Sequence, residues 1–226
     1  MINKIRLIYK VLFSSNVRFL IRRIIKFIIY RFRFFKLKFI LGKKDNVNLI
    51  LGAALTSEKN WISTNEEWLD ITNYFHWKRL FGERSRIKRA VAEHVFEHLT
   101  KDEMRTSLNL VYRYLIKGGA LRIAGPDGNN PNKEYRDDAG INWIGADASD
   151  HKQFITYEFL KSELENCGFK CFLREGYKSN QELLNDPLPK ELGNIIRSRS
   201  NSKNTHSKTG WGFIDSNSSL IIDAYK

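Results

Sequence analysis

The chain has 226 residues, 42% of them hydrophobic and 28% charged, with a formal net charge of +13. Its two cysteines, Cys167 and Cys171, are too few for a disulfide framework and suit a reducing compartment. All of the excess charge lies between Met1 and Lys44, which hold 13 Lys or Arg and no Asp or Glu; from Asp45 onward basic and acidic residues cancel.

The sequence therefore divides into a basic arm, 1–44, and a charge-neutral domain, 45–226. The longest uncharged run of the arm, Val11 to Val17, is far shorter than the roughly 18–20 apolar residues of a membrane-spanning helix. A secretory signal, with its continuous apolar centre and small-residue cleavage site, is equally absent from it. At about 100° per residue, Arg18, Arg22, Lys26, Arg33 and Lys36 share one sector of a helix, with Phe19, Leu20, Ile24, Phe27, Ile28 and Phe35 mostly opposite. Arg23, Arg31 and Lys38 interrupt that division. This pattern is expected of a helix lying in the interface of an anionic membrane, on its cytoplasmic side; a core-packing helix with solvated charges is the other reading it allows. Nucleic acid is not the expected partner, because Ile and Phe stand where such arms carry Ser, Asn and Gly. The alternation Arg31-Phe32-Arg33-Phe34 also fits a strand, which predicts that the helix stops near Tyr30.

Along the domain, Val47 to Leu51 is a short apolar run closed by Gly52, a buried strand and its turn. Arg89 to Ala92 is a second strand. Thr100 to Lys117 predicts a helix opened by a Thr100/Glu103 capping box and ended by Gly118-Gly119. Ala120 to Ala124 follows as a strand, then a helix from Thr156 to Asn166 and a strand at Cys171 to Leu173. Trp211 to Ile214 and Leu220 to Ala224 flank a turn and predict a closing hairpin. Strands alternating with helices give an α/β fold, Rossmann-like and doubly wound, with a mostly parallel sheet, helices on both faces and a C-terminal antiparallel hairpin. The segment Arg197 to Gly210 carries no periodicity and reads as a loop.

Five segments in order, Leu49-Ile50-Leu51-Gly52, Asn60-Trp61-Ile62-Ser63-Thr64-Asn65, Leu69-Asp70-Ile71-Thr72, Glu93-His94-Val95-Phe96-Glu97-His98-Leu99 and Ile116-Lys117-Gly118-Gly119-Ala120-Leu121-Arg122-Ile123, resemble the class I S-adenosylmethionine-dependent methyltransferases, in particular their small bacterial branch. The resemblance spans about Asn48 to Phe172. It implies S-adenosylmethionine as cofactor, with Gly52, Ala53 and Ala54 beneath its amino-acid part and Asn65 or Glu66 at the ribose. It further implies Asp70 near the adenine, Glu93 and His94 closing the pocket, and Asp127 facing the acceptor. The chain departs from the pattern at Ala54, where the family has glycine, and at Asn65, where it has an acidic residue.

For a hydroxyl acceptor, a general base is needed, and His151 is the candidate; Tyr135 and Arg136 could grip an anionic or sugar substrate. The resemblance implies methyl transfer to a small-molecule, sugar or lipid-linked glycan acceptor, in bacterial surface-polysaccharide modification. A catalytically silent domain that binds a ligand or partner at the membrane is the alternative, favoured by Ala54 and Asn65. His94-Val95-Phe96-Glu97-His98 also matches His-x-x-Glu-His, which on an α-helix would set two histidines on one face for zinc. Lying between a strand and a capped helix, it reads instead as a loop that Glu97 and His98 fasten by hydrogen bonds, and no metal is expected.

Overall fold

The computed structural model describes residues 15–139, 141, 150–196 and 219–226. Contacts group the chain into two compact units, Met1–Lys43 and Lys44–Lys226.

In the first unit, helix α1 runs from Ser15 to Lys43 without a break. The strand offered by the Arg-Phe alternation is not formed, and the helix does not stop near Tyr30. Its geometry uses the same residues another way: the Arg31 guanidinium lies 6.0 Å from the Phe27 ring centroid and 5.2 Å from that of Phe35, and Lys43 Nζ lies 4.2 Å from that of Phe39. Residues four apart meet only on a helix, and a cation over a ring face gains roughly 0.5–1 kcal/mol at an exposed site. Phe19, Phe27, Phe32 and Phe39 are each 62–70% exposed. Among the described residues no helix is long and apolar enough to cross a membrane.

The second unit is built on a seven-stranded sheet. Its strands are β1 (Val47–Leu51), β2 (Trp61–Ser63), β3 (Ile87–Glu93), β4 (Leu115–Pro126), β5 (Lys170–Tyr177), β6 (Leu183–Asn185) and β7 (Ser219–Tyr225), in the order β2-β1-β3-β4-β7-β5-β6. β2, β1, β3 and β4 are mutually parallel; β7 runs antiparallel to both β4 and β5, and β6 antiparallel to β5. The fold is Rossmann-like. The crossover helices are α2 (Tyr74–Phe81) after β2, α3 (Lys101–Tyr114) after β3 and α5 (Tyr157–Asn166) between β4 and β5; a short α4 (Lys133–Ala139) precedes α5. All three crossovers advance in the same direction across the sheet, so right-handed connections set α2, α3 and α5 on one face, and these crossover helices are not shared between both faces as the sequence pattern predicts. Trp77 of α2 stacks on Tyr114 of α3 with centroids 5.4 Å apart.

Two expectations change in detail. The capping box forms, with the Thr100 N–H donating to Glu103 Oε2 at 2.7 Å and the Glu103 N–H to Thr100 Oγ1 at 3.3 Å, but α3 ends at Tyr114 and β4 begins at once. Gly118-Gly119 makes a bulge inside β4 rather than a helix stop: Ile87 pairs with Leu115 and Arg89 with Ala120, Gly118 has φ +72°, and a β-carbon on Gly119 would stand 2.8 Å from the Ile116 carbonyl. The closing strand β7 is also not half of a hairpin. A strand has two edges, and β4 and β5 occupy both of them. Trp211 to Ile214 lie outside the described residues, as does the 197–210 segment.

β7 is held in register by charge. Arg122 of β4 pairs opposite Asp223 of β7, donating from Nε to Oδ1 at 2.6 Å and from Nη2 to Oδ2 at 2.9 Å, and Arg174 of β5 donates to Oδ2 at 2.8 Å. Both members of the Arg122–Asp223 pair are buried, and Arg122 Nη1 also donates to the Gly193 carbonyl. Replacing Asp223 by alanine would strand a buried guanidinium, so Asp223→Ala is expected to cost about 3 kcal/mol or more in urea unfolding, whereas Lys178→Ala, at an exposed Glu182 pair, should cost under about 1 kcal/mol.

Candidate active site

In such sheets a ligand crevice opens beyond the strand ends where the connections diverge, here between β1 and β3, since β2 lies on one side of β1 and β3 on the other. A cleft of about 490 Å³ occupies that position. Its walls are Gly52 after β1, residues Glu66 and Leu69 to Thr72 after β2, His94, Val95, His98 and Leu99 after β3, Glu103 of α3, and Asp150 and Lys152.

Each wall is positioned by a local device. Gly52 has φ +56°, and a β-carbon there would stand 2.7 Å from Val95 Cγ2, so no larger residue fits between the β1 and β3 turns. The wall after β2 is moored to α2: the Trp77 indole N–H donates to the Ile71 carbonyl at 3.0 Å and the Asp70 N–H to His76 Nδ1 at 3.1 Å. Asp70 Oδ1 accepts from the N–H and hydroxyl of Thr72, at 2.9 and 2.7 Å. After β3, the His94 N–H donates to the Ala124 carbonyl of β4 at 2.9 Å, and the chain turns through a short 3-10 helix, Phe96–His98. His94 has φ +53°, so the His-x-x-Glu-His segment is not an α-helix and does not set its two histidines on one face.

Glu97 lies beneath that turn. Its carboxylate stands close to Gly125, where a β-carbon would come within 3.3 Å of Oε2, and Oε1 is 3.0 Å from His94 Nδ1. Burial raises its pKa, but the hydrogen bond from His94 leads the interactions that outweigh this, leaving it below the usual range. A carboxylate can only accept, so Nδ1 of His94 carries the shared proton. The Glu103 carboxyl is likewise lowered, by the Thr100 N–H first and by Lys152.

Of the residues that the sequence suggested for the cofactor, the structure brings Gly52, Glu66, Asp70 and His94 to the cleft. Ala53 is fully buried, its N–H donating to the Thr64 carbonyl at 2.7 Å. Glu93 is buried too, and its Oε2 accepts from the Ile196 N–H at 3.0 Å. Ala54 has φ +49°, the left-handed conformation in which a β-carbon is strained. The Asn65 amide clamps it from both sides, Oδ1 accepting from the Ala54 N–H at 2.7 Å and Nδ2 donating to its carbonyl at 3.2 Å. Asn65 is thus spent on the loop, and its neighbour Glu66 faces the cleft.

The suggested acceptor residues form a separate turn. Asp127 is buried, with Oδ1 accepting from the Asn129 N–H at 2.9 Å and Oδ2 from the Tyr177 N–H at 2.6 Å; burial nonetheless pushes its pKa up to about 6. The Asp127 N–H donates to the Tyr135 hydroxyl at 3.0 Å, and Arg136 donates to the Asn130 carbonyl. None of the three lines the cleft, and neither does His151, which is 7% exposed and packs edge-on against His98. His98, Glu103 and Lys152 also line it; the sequence marked His98 for the His-x-x-Glu-His match and for fastening its loop, Glu103 for the capping box, and Lys152 for nothing.

No protein-family model matches the chain, and no curated protein matches it. Among solved structures, it is similar to a SAM-dependent methyltransferase from Archaeoglobus fulgidus (15% identity, 91% of this chain and 94% of that one, TM-score 0.47). It is also similar to one from Thermotoga maritima described as a possible histamine N-methyltransferase (13%, 92% and 96%, TM-score 0.43), and to a putative one from Listeria monocytogenes (11%, 86% and 97%, TM-score 0.45). At such scores the fold rests on the sheet order above.

If the Asn65 clamp offsets left-handed strain, Asn65→Ala should destabilise by about 1–2 kcal/mol, two hydrogen bonds being lost. Ala54→Gly should relieve about 1 kcal/mol of strain and soften the loss when combined with Asn65→Ala, measurable as a double-mutant cycle in urea.

Proposed function

We propose that the Lys44–Lys226 unit binds S-adenosylmethionine in this cleft and transfers its methyl group to a hydroxyl of a small-molecule, sugar or lipid-linked glycan acceptor, with α1 holding the protein to an anionic membrane surface on the cytoplasmic side. The observation that carries the reading is the cleft itself: it opens at the switch point, beneath a glycine whose place a side chain would crowd, and on the side of the β2 wall it is bordered by the carboxylates of Glu66 and Asp70.

These residues suit the cofactor. Gly52 leaves backbone exposed for close approach, Glu66 and Asp70 offer acceptors for hydroxyl and ammonium donors, and Leu69, Ile71 and Leu99 supply apolar wall. When bound, S-adenosylmethionine supplies a methyl group on a sulfonium, already activated for attack by an oxygen lone pair. Proton acceptance then falls to His94, which lines the cleft with Nδ1 held by Glu97, rather than to the buried His151. For the arm, the support is a 29-residue helix that exposes phenylalanines among lysines and arginines. Apolar burial and attraction to anionic headgroups act together on such a helix, and the second is screened by salt.

Calorimetry with S-adenosylmethionine is expected to show one site per chain, weakened about tenfold or more by Glu66→Gln with Asp70→Asn. Absence of binding at millimolar cofactor would overturn the enzyme reading and leave the silent binding domain. In flotation with vesicles containing phosphatidylserine, the full chain should bind at low salt; reversing Arg31, Arg33, Lys36 and Lys38 to Glu should abolish this, and binding unchanged by the reversal would refute a role for the arm.

A further inference from the structure

Beside the cleft, a second group of side chains converges that the proposed reaction does not use as a set. Glu97, His98 and His151 each bring one potential ligand atom within 4.8 Å of the others. Glu97 and His151 are 2% and 7% exposed, and the His98 and His151 rings meet edge to face with centroids 4.9 Å apart.

Residues more than fifty apart in sequence are held here by a backbone strap. The N–H groups of Lys152 and Gln153 both donate to the Glu97 carbonyl, at 2.8 and 3.3 Å. The Gln153 side-chain amide donates to the carbonyls of Phe96 and Leu99, at 3.1 and 2.9 Å, clasping the 3-10 turn from both ends. The backbone that follows His151 is thereby held against the turn that carries Glu97 and His98.

A set that served packing alone would be expected to have every buried polar atom hydrogen-bonded. His98 Nδ1 is buried and has no hydrogen bond; Asp150 Oδ1 lies 3.1 Å away but out of line for one. Glu97 gives Oε1 to His94, and a carboxylate can bridge with its second oxygen.

We infer that Glu97, His98 and His151 form a binding site for a divalent transition-metal ion, zinc being the best match. Two imidazoles with one carboxylate are the protein ligands of an open zinc site, and this borderline-soft donor set disfavours magnesium and calcium. Ligand atoms about 2.0–2.1 Å from a tetrahedral ion lie roughly 3.4 Å apart, so donors already within 4.8 Å of one another need close by no more than about 1.4 Å, a movement of side chains over a strapped backbone. The site differs from the zinc-protease signature in the same segment: His94 is outside it, and His151 comes from a distant loop.

The inference does not rest on methyl transfer, and its readout is metal binding alone. Full-length protein stripped with chelator would be titrated with Co²⁺, then Zn²⁺. Expected are one Co²⁺ per chain with the visible bands of a low-coordinate ion, displacement by Zn²⁺, and at least tenfold weaker binding in His98→Gln and in His151→Gln. The Cys167→Ser, Cys171→Ser protein should bind as before. Failure to bind Co²⁺ stoichiometrically, binding that survives both histidine substitutions, or binding lost with the cysteines would overturn the site. Should the variants fail to fold, diethylpyrocarbonate labelling of the unaltered protein decides: Zn²⁺ should protect the part-exposed His98 but leave His76 reactive, and equal labelling of His98 with and without Zn²⁺ refutes the proposal.

Discussion

The constraint on which the domain depends is a pair of charges in the middle of its sheet. Arg122 and Asp223 are removed from water on adjacent antiparallel strands, a placement whose desolvation cost is several kcal/mol per ion unless every donor and acceptor is met. Here they are met by two parallel hydrogen bonds, by Arg174 and by the Gly193 carbonyl. Slipping β7 by one residue would turn Asp223 to the other face and leave the arginine alone. The pair therefore fixes which strand fills the gap between β4 and β5.

That register sets the carboxyl edge of β4, and with it the cleft. The Ala124 carbonyl receives the His94 N–H, and Gly125 leaves the space that the Glu97 carboxylate fills. A side chain on Gly125 would press on the one buried acid that orients His94, and the Phe96–His98 turn would lose its footing. The strap at 152–153 then adds a distant loop to the same turn. Fold and site are thus linked through a few contacts at the ends of β3 and β4 rather than through the sheet as a whole.

The arm obeys a different logic. Its charge has no counterpart in the domain, whose acidic and basic residues balance. In α1 one of the arginines that interrupt the amphipathic pattern, Arg31, covers the rings of Phe27 and Phe35, so one side chain serves both the cationic and the aromatic character of the helix. A charge of this kind argues for where a protein works, and says nothing of the chemistry in its cleft.

Much was legible in the chain because it is local. The split between arm and domain comes from counting charges; strand β1, the α3 capping box and the helix ending at Asn166 come from spacings of a few residues, which backbone hydrogen bonding turns directly into structure. Gly52 was legible as a turn, and the resemblance named Asp70 and His94, which both line the cleft. Other features were not, since they depend on which distant segments meet. Asn65 stood where a cofactor contact was expected, but its amide bonds the backbone of Ala54, whose left-handed conformation fits the glycine that the resemblance expects there. Asp127 and Tyr135 carried functional groups and became a turn, and Gly118-Gly119 became a bulge because α3 ended early against β4. Composition and periodicity by themselves determined the fold class and the charge of the arm, both sums over neighbouring residues. Tertiary structure alone decided that β7 lies inside the sheet and that His151 meets His98 and Glu97, because burial and strand pairing join residues that the sequence keeps more than forty positions apart.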